Sequence, residues 1–305
     1  GEYFSKDDIP QILEKLLGDP FDAKTIKRVK KDGNNWNGPL FLTNGYKLTI
    51  RGYSDAKRGT IDCGAEFPND DARNYGNGNV TTVGQGSVIY VNNNGGLELQ
   101  NVTLQNCYCY KYCGDYNVVN PNDGVKGQGW GLLTIANKTD NAKTLTLTNV
   151  TLRNGFSGYA GAGIYFRGAD NHGTATFTNV TITQCYSYGA SWNGESSGGG
   201  TIRTNGSLLT SLVLDNCHIT NNNSGGGSNT GSGAGIYWNG AGSETTHIEL
   251  RGGTEISGNV AASSGGGIFI ESRLTLTNAT IKNNTATNGG GIYFCMESYH
   301  FIHVF

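Results

Sequence analysis

Proline is scarce, with 5 in 305 residues, methionine occurs once, and only 15% of residues are charged, against a usual ~25%. A net charge of -2 supplies no cationic field for phosphates, which excludes a default nucleic-acid binder. The same balance excludes a disordered charged chain, which needs a high net charge. No apolar run approaches the ~18 residues of a membrane-spanning helix. Gly1 is not an initiator methionine and no signal-peptide pattern follows it, so the chain reads as a mature or trimmed product. The length allows one elongated domain or two compact ones. Hydrophobic residues make up 36%, low for a compact globule of this size and suited to a thin, repetitive core. Glycine, by contrast, contributes 48 residues, about twice its usual ~7% share.

One segment recurs along the chain. Its copies are Leu97-Glu-Leu-Gln-Asn-Val-Thr-Leu-Gln-Asn-Cys107, Leu145-Thr-Leu-Thr-Asn-Val-Thr-Leu-Arg-Asn-Gly155 and Ala175-Thr-Phe-Thr-Asn-Val-Thr-Ile-Thr-Gln-Cys185. It continues as Leu212-Val-Leu-Asp-Asn-Cys-His-Ile-Thr-Asn-Asn222 and Leu274-Thr-Leu-Thr-Asn-Ala-Thr-Ile-Lys-Asn-Asn284, with a degraded copy from Ile248 to Asn259. A second segment precedes most copies, as in Gly161-Ala-Gly-Ile-Tyr-Phe166, Gly233-Ala-Gly-Ile-Tyr-Trp238, Gly265-Gly-Gly-Ile-Phe-Ile270 and Gly289-Gly-Gly-Ile-Tyr-Phe294. Each copy alternates apolar and polar residues, the period of a strand and not of a helix. Leu145, Leu147, Val150 and Leu152 fall on one face, and Thr146, Thr148, Thr151 and Arg153 on the other.

Asparagine tolerates the left-handed backbone region, so Asn101, Asn149, Asn179, Asn216 and Asn278 are read as sharp bends between two short strands. Three short strands per turn, bent at fixed Asn and Gly positions, describe one coil of a parallel β-helix. A single coil cannot bury its apolar edge, so stacking must supply the core. About seven complete coils and a fragment of an eighth are expected, in a stack roughly 35 Å long at ~4.8 Å per strand. Tandem immunoglobulin-like sandwiches are the competing architecture, but they leave the recurrence of the same Asn and Gly-Ile-Tyr positions unexplained.

The ends differ from the repeats. Residues 1–38 read as a cap, in which Ile9, Ile12, Leu13, Leu16 and Leu17 have amphipathic-helix spacing and Ser5 is a candidate N-cap. Such a helix would cover the open strand edge of the first coil. Residues 39–294 carry the β-helix, and 295–305 form an atypical tail that has lost the Asn/Thr/Gly character.

The paired signatures Gly-Gly-Gly-Ile and Leu-Thr-Leu-Thr-Asn-Val-Thr, with Lys47-Leu-Thr-Ile-Arg51 and Gly59-Thr-Ile-Asp62 as a first coil, resemble the right-handed parallel β-helix repeats of surface adhesin-like proteins. Chlamydial polymorphic outer-membrane proteins and archaeal adhesin-like proteins carry repeats of this kind. The resemblance covers residues 39 to 294 and implies surface adhesion or structural display. The chlamydial type also carries an outer-membrane barrel, which this sequence does not contain.

The same fold hosts pectate lyases and polygalacturonases, so chemistry must be weighed. Glycoside hydrolysis needs two carboxylates on one face. Glu98, Asp215 and Glu249 are the outward acidic positions of the repeat strands; Asp215 and Glu249 can lie on adjacent coils, with Arg251 placed to pair with them. No paired-Asp, Gly-His-Gly or Arg-Ile-Lys motif occurs. The histidines (172, 218, 247, 300 and 303) share no motif, and His218 stands where other copies have Thr. Cys107-x-Cys109-x3-Cys113 lacks a second pair with zinc spacing, so disulfides in the 63–113 region are expected ahead of a metal, and Cys217 is expected to fill the core. Neither metal nor cofactor is expected.

Nine Asn-x-Ser/Thr sequons occur. Four fall on bend asparagines, whose expected role is a side-chain ladder. Asn79, Asn137, Asn205, Asn222 and Asn283 read as loop or near-loop positions and better glycan acceptors. Alternation in the Gly-Ile-Tyr strand places Tyr90, Thr134, Tyr165, Arg203, Tyr237, Phe269 and Tyr293 outward in one column. Its members Tyr90, Tyr165, Tyr237, Phe269 and Tyr293 are read as a sheet-stabilising stack or a flat contact face for a sugar chain or a neighbouring subunit. Thr-x-Thr rows resemble ice-binding faces, but Val213, Asp215, Glu249 and Arg251 interrupt them.

The sequence therefore points to a non-catalytic extracellular or cell-surface β-helix of structural or adhesive role. Head-to-tail self-association into a filament or layer is one expectation and glycan binding by a monomeric adhesin another, with a polysaccharide lyase or glycoside hydrolase as the remaining alternative. Neither nucleic acid nor a membrane span is expected.

Overall fold

The computed structural model describes residues 25–27, 40–42, 47–54, 56–63, 65, 87–92, 96–109, 131–136, 145–158, 160–167, 173–188, 199–204, 209–225, 231–239, 246–295 and 302–304. These residues form a parallel β-solenoid with three sheets. The chain visits the sheets in strict rotation, and every strand pairs in parallel with its counterpart one coil away. The first sheet stacks the strands that follow the bend asparagines, such as Val102–Cys109, Thr151–Ser157, Thr181–Thr183 and His218–Thr220. The second stacks the Gly-Ile-Tyr strands, from Leu40–Leu42 to Ile292–Phe294. The third stacks the Leu-Thr-Leu-Thr strands, from Lys47–Arg51 to Ile302–Val304. Each stacking path holds eight strands. The amphipathic helix expected between Ile9 and Leu17 lies outside the described residues.

The bends follow from backbone sterics. Asn101, Asn149, Asn179, Asn216 and Asn278 all have φ between 50° and 56°, the left-handed region that asparagine enters at lower cost than other side chains. A second bend column was not anticipated from the sequence. Asn106, Asn154, Gln184, Asn221 and Asn283 also have positive φ, and this bend redirects the chain within the first sheet. Short strands follow it, at Tyr186–Ser187, Asn223–Ser224 and Val260–Ala261. Glycines close the third corner. A Cβ at Gly161 (φ 66°) would lie 2.5 Å from that of Tyr165.

Between the sheets, inward residues stack in columns. Leu99, Leu147, Phe177, Leu214 and Leu250 form one, and Leu104, Leu152, Ile182, Ile219 and Ile256 another, all with no exposure. Burying each such side chain contributes about 1.5–3 kcal/mol, which one coil alone cannot collect. Cys217 fills the column of Val150 and Val180, also fully buried.

The stack extends past the 39–294 boundary on both sides. Thr25–Lys27 pairs with Thr60 to Asp62, and Ile302–Val304 pairs with Leu274 to Leu276. Both segments keep the alternation that the sheet requires: Thr25-Ile-Lys27 repeats the sequence of Thr280-Ile-Lys282.

Candidate functional site

Strand register assembles the outward column of the second sheet as alternation requires: Tyr90 beside Thr134, then Tyr165, Arg203, Tyr237, Phe269 and Tyr293. The rings of Tyr237 and Phe269 stack at 4.6 Å and 2°, and those of Phe269 and Tyr293 at 5.4 Å and 17°. The Arg203 guanidinium lies over the Tyr237 ring at 4.8 Å. From Tyr165 to Phe269 this stack is closed, which corrects the expectation of an open contact face at those positions; the Tyr90 side chain lies outside the described ones. Tyr165, Arg203, Tyr237 and Phe269 are all buried, and Tyr293 is half-buried. In-register rings cover each other's faces at the strand spacing, and Tyr237 is further flanked by Asn239, Glu271 and Cys295. Burial pushes the Tyr237 hydroxyl above its usual value, with Arg203 acting in the opposite direction. A second aromatic cluster, missed in the sequence, joins Tyr108, Phe156 and Tyr186 just past the second bend, with centroids 4.7 and 5.4 Å apart.

The candidate acid pair does come together, around a cation. Arg251 Nε donates to Asp215 Oδ2 at 2.9 Å, and its Nη1 to Glu249 Oε1 at 3.1 Å. Glu98 accepts from Arg51 at 3.1 Å and from the Thr49 hydroxyl. His218 lies opposite Glu255 on the next coil. The Glu255 carboxyl is held below its usual range by hydrogen bonds from Ser257 and Lys282.

The bend asparagines form the expected ladder. Asn149 Nδ2 donates to Asn101 Oδ1 at 3.1 Å, Asn179 to Asn149 at 3.0 Å, and Asn216 to Asn179 at 2.7 Å. Gly252 and Gly253 interrupt it before Asn278.

A second ladder runs inside the solenoid and overturns one glycan-acceptor expectation. Asn222 is 1% exposed. Its Nδ2 donates to Ile182 O at 3.1 Å and Asn259 Oδ1 at 3.0 Å, and its Oδ1 accepts from Cys185 N at 3.0 Å. Asn259 repeats the pattern with Ile219 O, Asn284 Oδ1 and Asn222 N. Every polar atom of these buried amides is used, so Asn222 has no amide hydrogen available for a sugar. The sequence signal was an Asn one position after the second bend, at Asn222, Asn259 and Asn284. In earlier coils Cys107, Gly155 and Cys185 hold that position. Asn283 is exposed but sits on the second bend and not in a loop. Asn79, Asn137 and Asn205 lie outside the described residues.

Cys63 and Cys107 are buried thiols, and Cys107 Sγ donates to Gly131 O at 3.3 Å. This corrects the expected disulfide use of these two residues: both are buried, Cys107 because the bend at Asn106 turns the next residue into the core. The Cys113 position lies outside the described residues. Burial pushes the Cys185 thiol up to about 12 and the Cys217 thiol up to about 11. Among the described residues, no cluster of three or more His, Cys, Asp or Glu side chains could hold a metal ion. No helix among them is long and apolar enough to cross a membrane.

No family model, curated protein or solved structure matches the chain.

Proposed function

We propose that the protein is an extracellular structural or adhesive solenoid without a catalytic centre. The observation that carries this reading is the use to which the polar side chains are put. Outside, asparagines bond from coil to coil; inside, a second amide ladder does the same; on the sheet faces, charges pair along and across strands. Such columns hold coils in register, which a display scaffold requires. A glycosidase acid must be available to protonate a leaving group, whereas Asp215 and Glu249 are both engaged by Arg251. Incubation with polygalacturonate and related acidic glycans is expected to yield neither new reducing ends nor unsaturated products. Turnover abolished by Asp215→Ala or Glu249→Ala would overturn the non-catalytic reading.

Head-to-tail association belongs to the same proposal. Ile281, Ile292 and Phe294 are only partly buried, whereas Ile256, Ile268 and Ile270 one coil earlier have no exposure. A second copy seated on that coil would complete their burial, and a contact between unlike ends builds an open fibre unless rotation closes it. Sedimentation of the intact chain is expected to show oligomers growing with concentration. A monodisperse monomer at high concentration would refute assembly and favour a monomeric adhesin.

A further inference from the structure

One coil replaces the bend with a longer insertion. Seven residues, Gly52 to Arg58, stand where the next coil uses Asn101 alone. Insertions in a repeat map to surface loops and often to the binding face. The neck of this insertion is tightly closed. Gly52 N donates to Gln100 O at 2.8 Å and Gly59 N to Asn101 O at 3.1 Å. A Cβ on Gly52 would lie 2.0 Å from Asn101 O, so only glycine fits there. Above the neck, Ser54 and Lys57 exchange backbone hydrogen bonds at 3.0 and 3.4 Å, and the Ser54 hydroxyl accepts from Lys57 N. The antiparallel bridge between Ser54 and Lys57 makes the insertion a hairpin.

Its tip presents a distinctive pair. Tyr53 is 74% exposed, and the Lys57 ammonium lies 5.9 Å from its ring centroid. Arg58 reaches back across the bend column to the Thr151 hydroxyl at 3.1 Å. Arg51 at the neck is paired with Glu98, but among the described residues Lys57 and Arg58 have no carboxylate partner. Among the described side chains Tyr53 is the exposed aromatic; it is held out in water beside the Lys57 ammonium, with Arg58 following in the chain at the neck of the loop.

We infer that this hairpin binds an acidic polysaccharide, its Tyr53 ring lying against the C–H face of a sugar and Lys57 and Arg58 pairing with the sugar's carboxylates. A single ring and two cations match one or two charged sugar units. The turn's sequence also contains Asp55, and the chain's net charge is -2, so the local excess is small. That suits a chain with one charge per sugar better than a duplex, whose binding rests on neutralising many phosphates. The inference deepens the adhesive half of the proposed function and rests on it.

The test titrates the intact chain with a size-defined oligogalacturonate, its fully methyl-esterified neutral form, and a DNA duplex. Oligogalacturonate is expected to bind, more weakly at high salt, and the neutral ester to bind at least about ten-fold more weakly. Tyr53→Ala and the double variant Lys57→Gln with Arg58→Gln are each expected to lose about ten-fold or more in affinity, while Lys282→Gln, at the far end of the same sheet, leaves binding unchanged. Tyr53 is exposed, so its variant keeps the wild-type circular dichroism. No binding, binding unaffected by Tyr53→Ala, or tighter binding of DNA would each overturn the inference. A chain that assembles end to end yet ignores the oligogalacturonate would leave the structural half of the proposed function standing.

Discussion

Changing Asn259 to Ala removes the middle rung of the inner ladder. Its Oδ1 accepts from Asn222 N and Asn222 Nδ2, each at 3.0 Å, while its Nδ2 donates to Ile219 O at 2.9 Å and Asn284 Oδ1 at 3.0 Å. The variant leaves the Asn222 N–H buried without its acceptor, at a cost of about 1–3 kcal/mol. Three further bonds are lost at about 1 kcal/mol each, although Asn222 Nδ2 keeps Ile182 O and Asn284 Oδ1 keeps Asn259 N. The expected destabilisation is about 4–6 kcal/mol, reduced if water enters the polar gap. Urea unfolding followed by circular dichroism measures it, and hydrogen exchange at the Asn222 amide reports locally in case single coils open separately. Asn283→Gly is the control: that residue is exposed with φ 55°, a conformation glycine adopts freely, so its cost stays within about 1 kcal/mol. A loss below about 1 kcal/mol for Asn259→Ala, or equal losses for the two variants, would refute the ladder's energetic role.

Cys185 and Cys217 are expected to resist thiol reagents at pH 8 until the chain is unfolded; rapid native-state labelling would contradict their burial. Their raised folded values, about 12 and about 11 against a usual 9.0, mean that the unfolded state releases protons first. Stability should therefore decline as pH rises from about 9 toward those values, less steeply in Cys185→Ala. Glu255 titrates in the opposite sense: its support is present above the usual 4.5 and is lost as pH falls through its lowered folded value. Ser257→Ala should move the Glu255 midpoint upward by carbon NMR, and an unchanged midpoint would show that the 2.6 Å Ser257 bond does not set it. In a glycosylating host, mass spectrometry of the folded chain should find sugar on Asn283 and none on Asn222; a glycan on Asn222 would be incompatible with the inner ladder.

Fold and site were legible to different depths. The period-two alternation of Leu145, Leu147, Val150 and Leu152 is a direct consequence of strand geometry, and it located the first and third sheets and the Asn149 column. The second bend was hidden because Gln184 and Gly258 replace asparagine in that column, so no single residue type marks it. Asn222 was misread because its sequon resembles a loop acceptor, whereas its place one residue past the bend turns it inward. The aromatic column was correctly phased, but phase gives direction and not exposure: Tyr237 points out of the core and is still 8% exposed, covered by its neighbours. The Tyr53 hairpin escaped notice because a turn inserted into a repeat has no period of its own.

The stacked, in-register coil is the claim on which the rest depends, and a cysteine pair tests it directly. Thr146 and Thr176, 30 residues apart in sequence, are direct partners on adjacent strands, a separation of ~4.8 Å that a disulfide spans. Thr146 and Thr178 are offset by two residues, about 8 Å apart and beyond disulfide reach. With Thr146→Cys and Thr176→Cys together, mild oxidation of the native chain should give a quantitative intramolecular cross-link, mapped by mass spectrometry after proteolysis. Thr146→Cys with Thr178→Cys should give none. Equal cross-linking of both pairs, or of neither, would contradict the register and the solenoid with it.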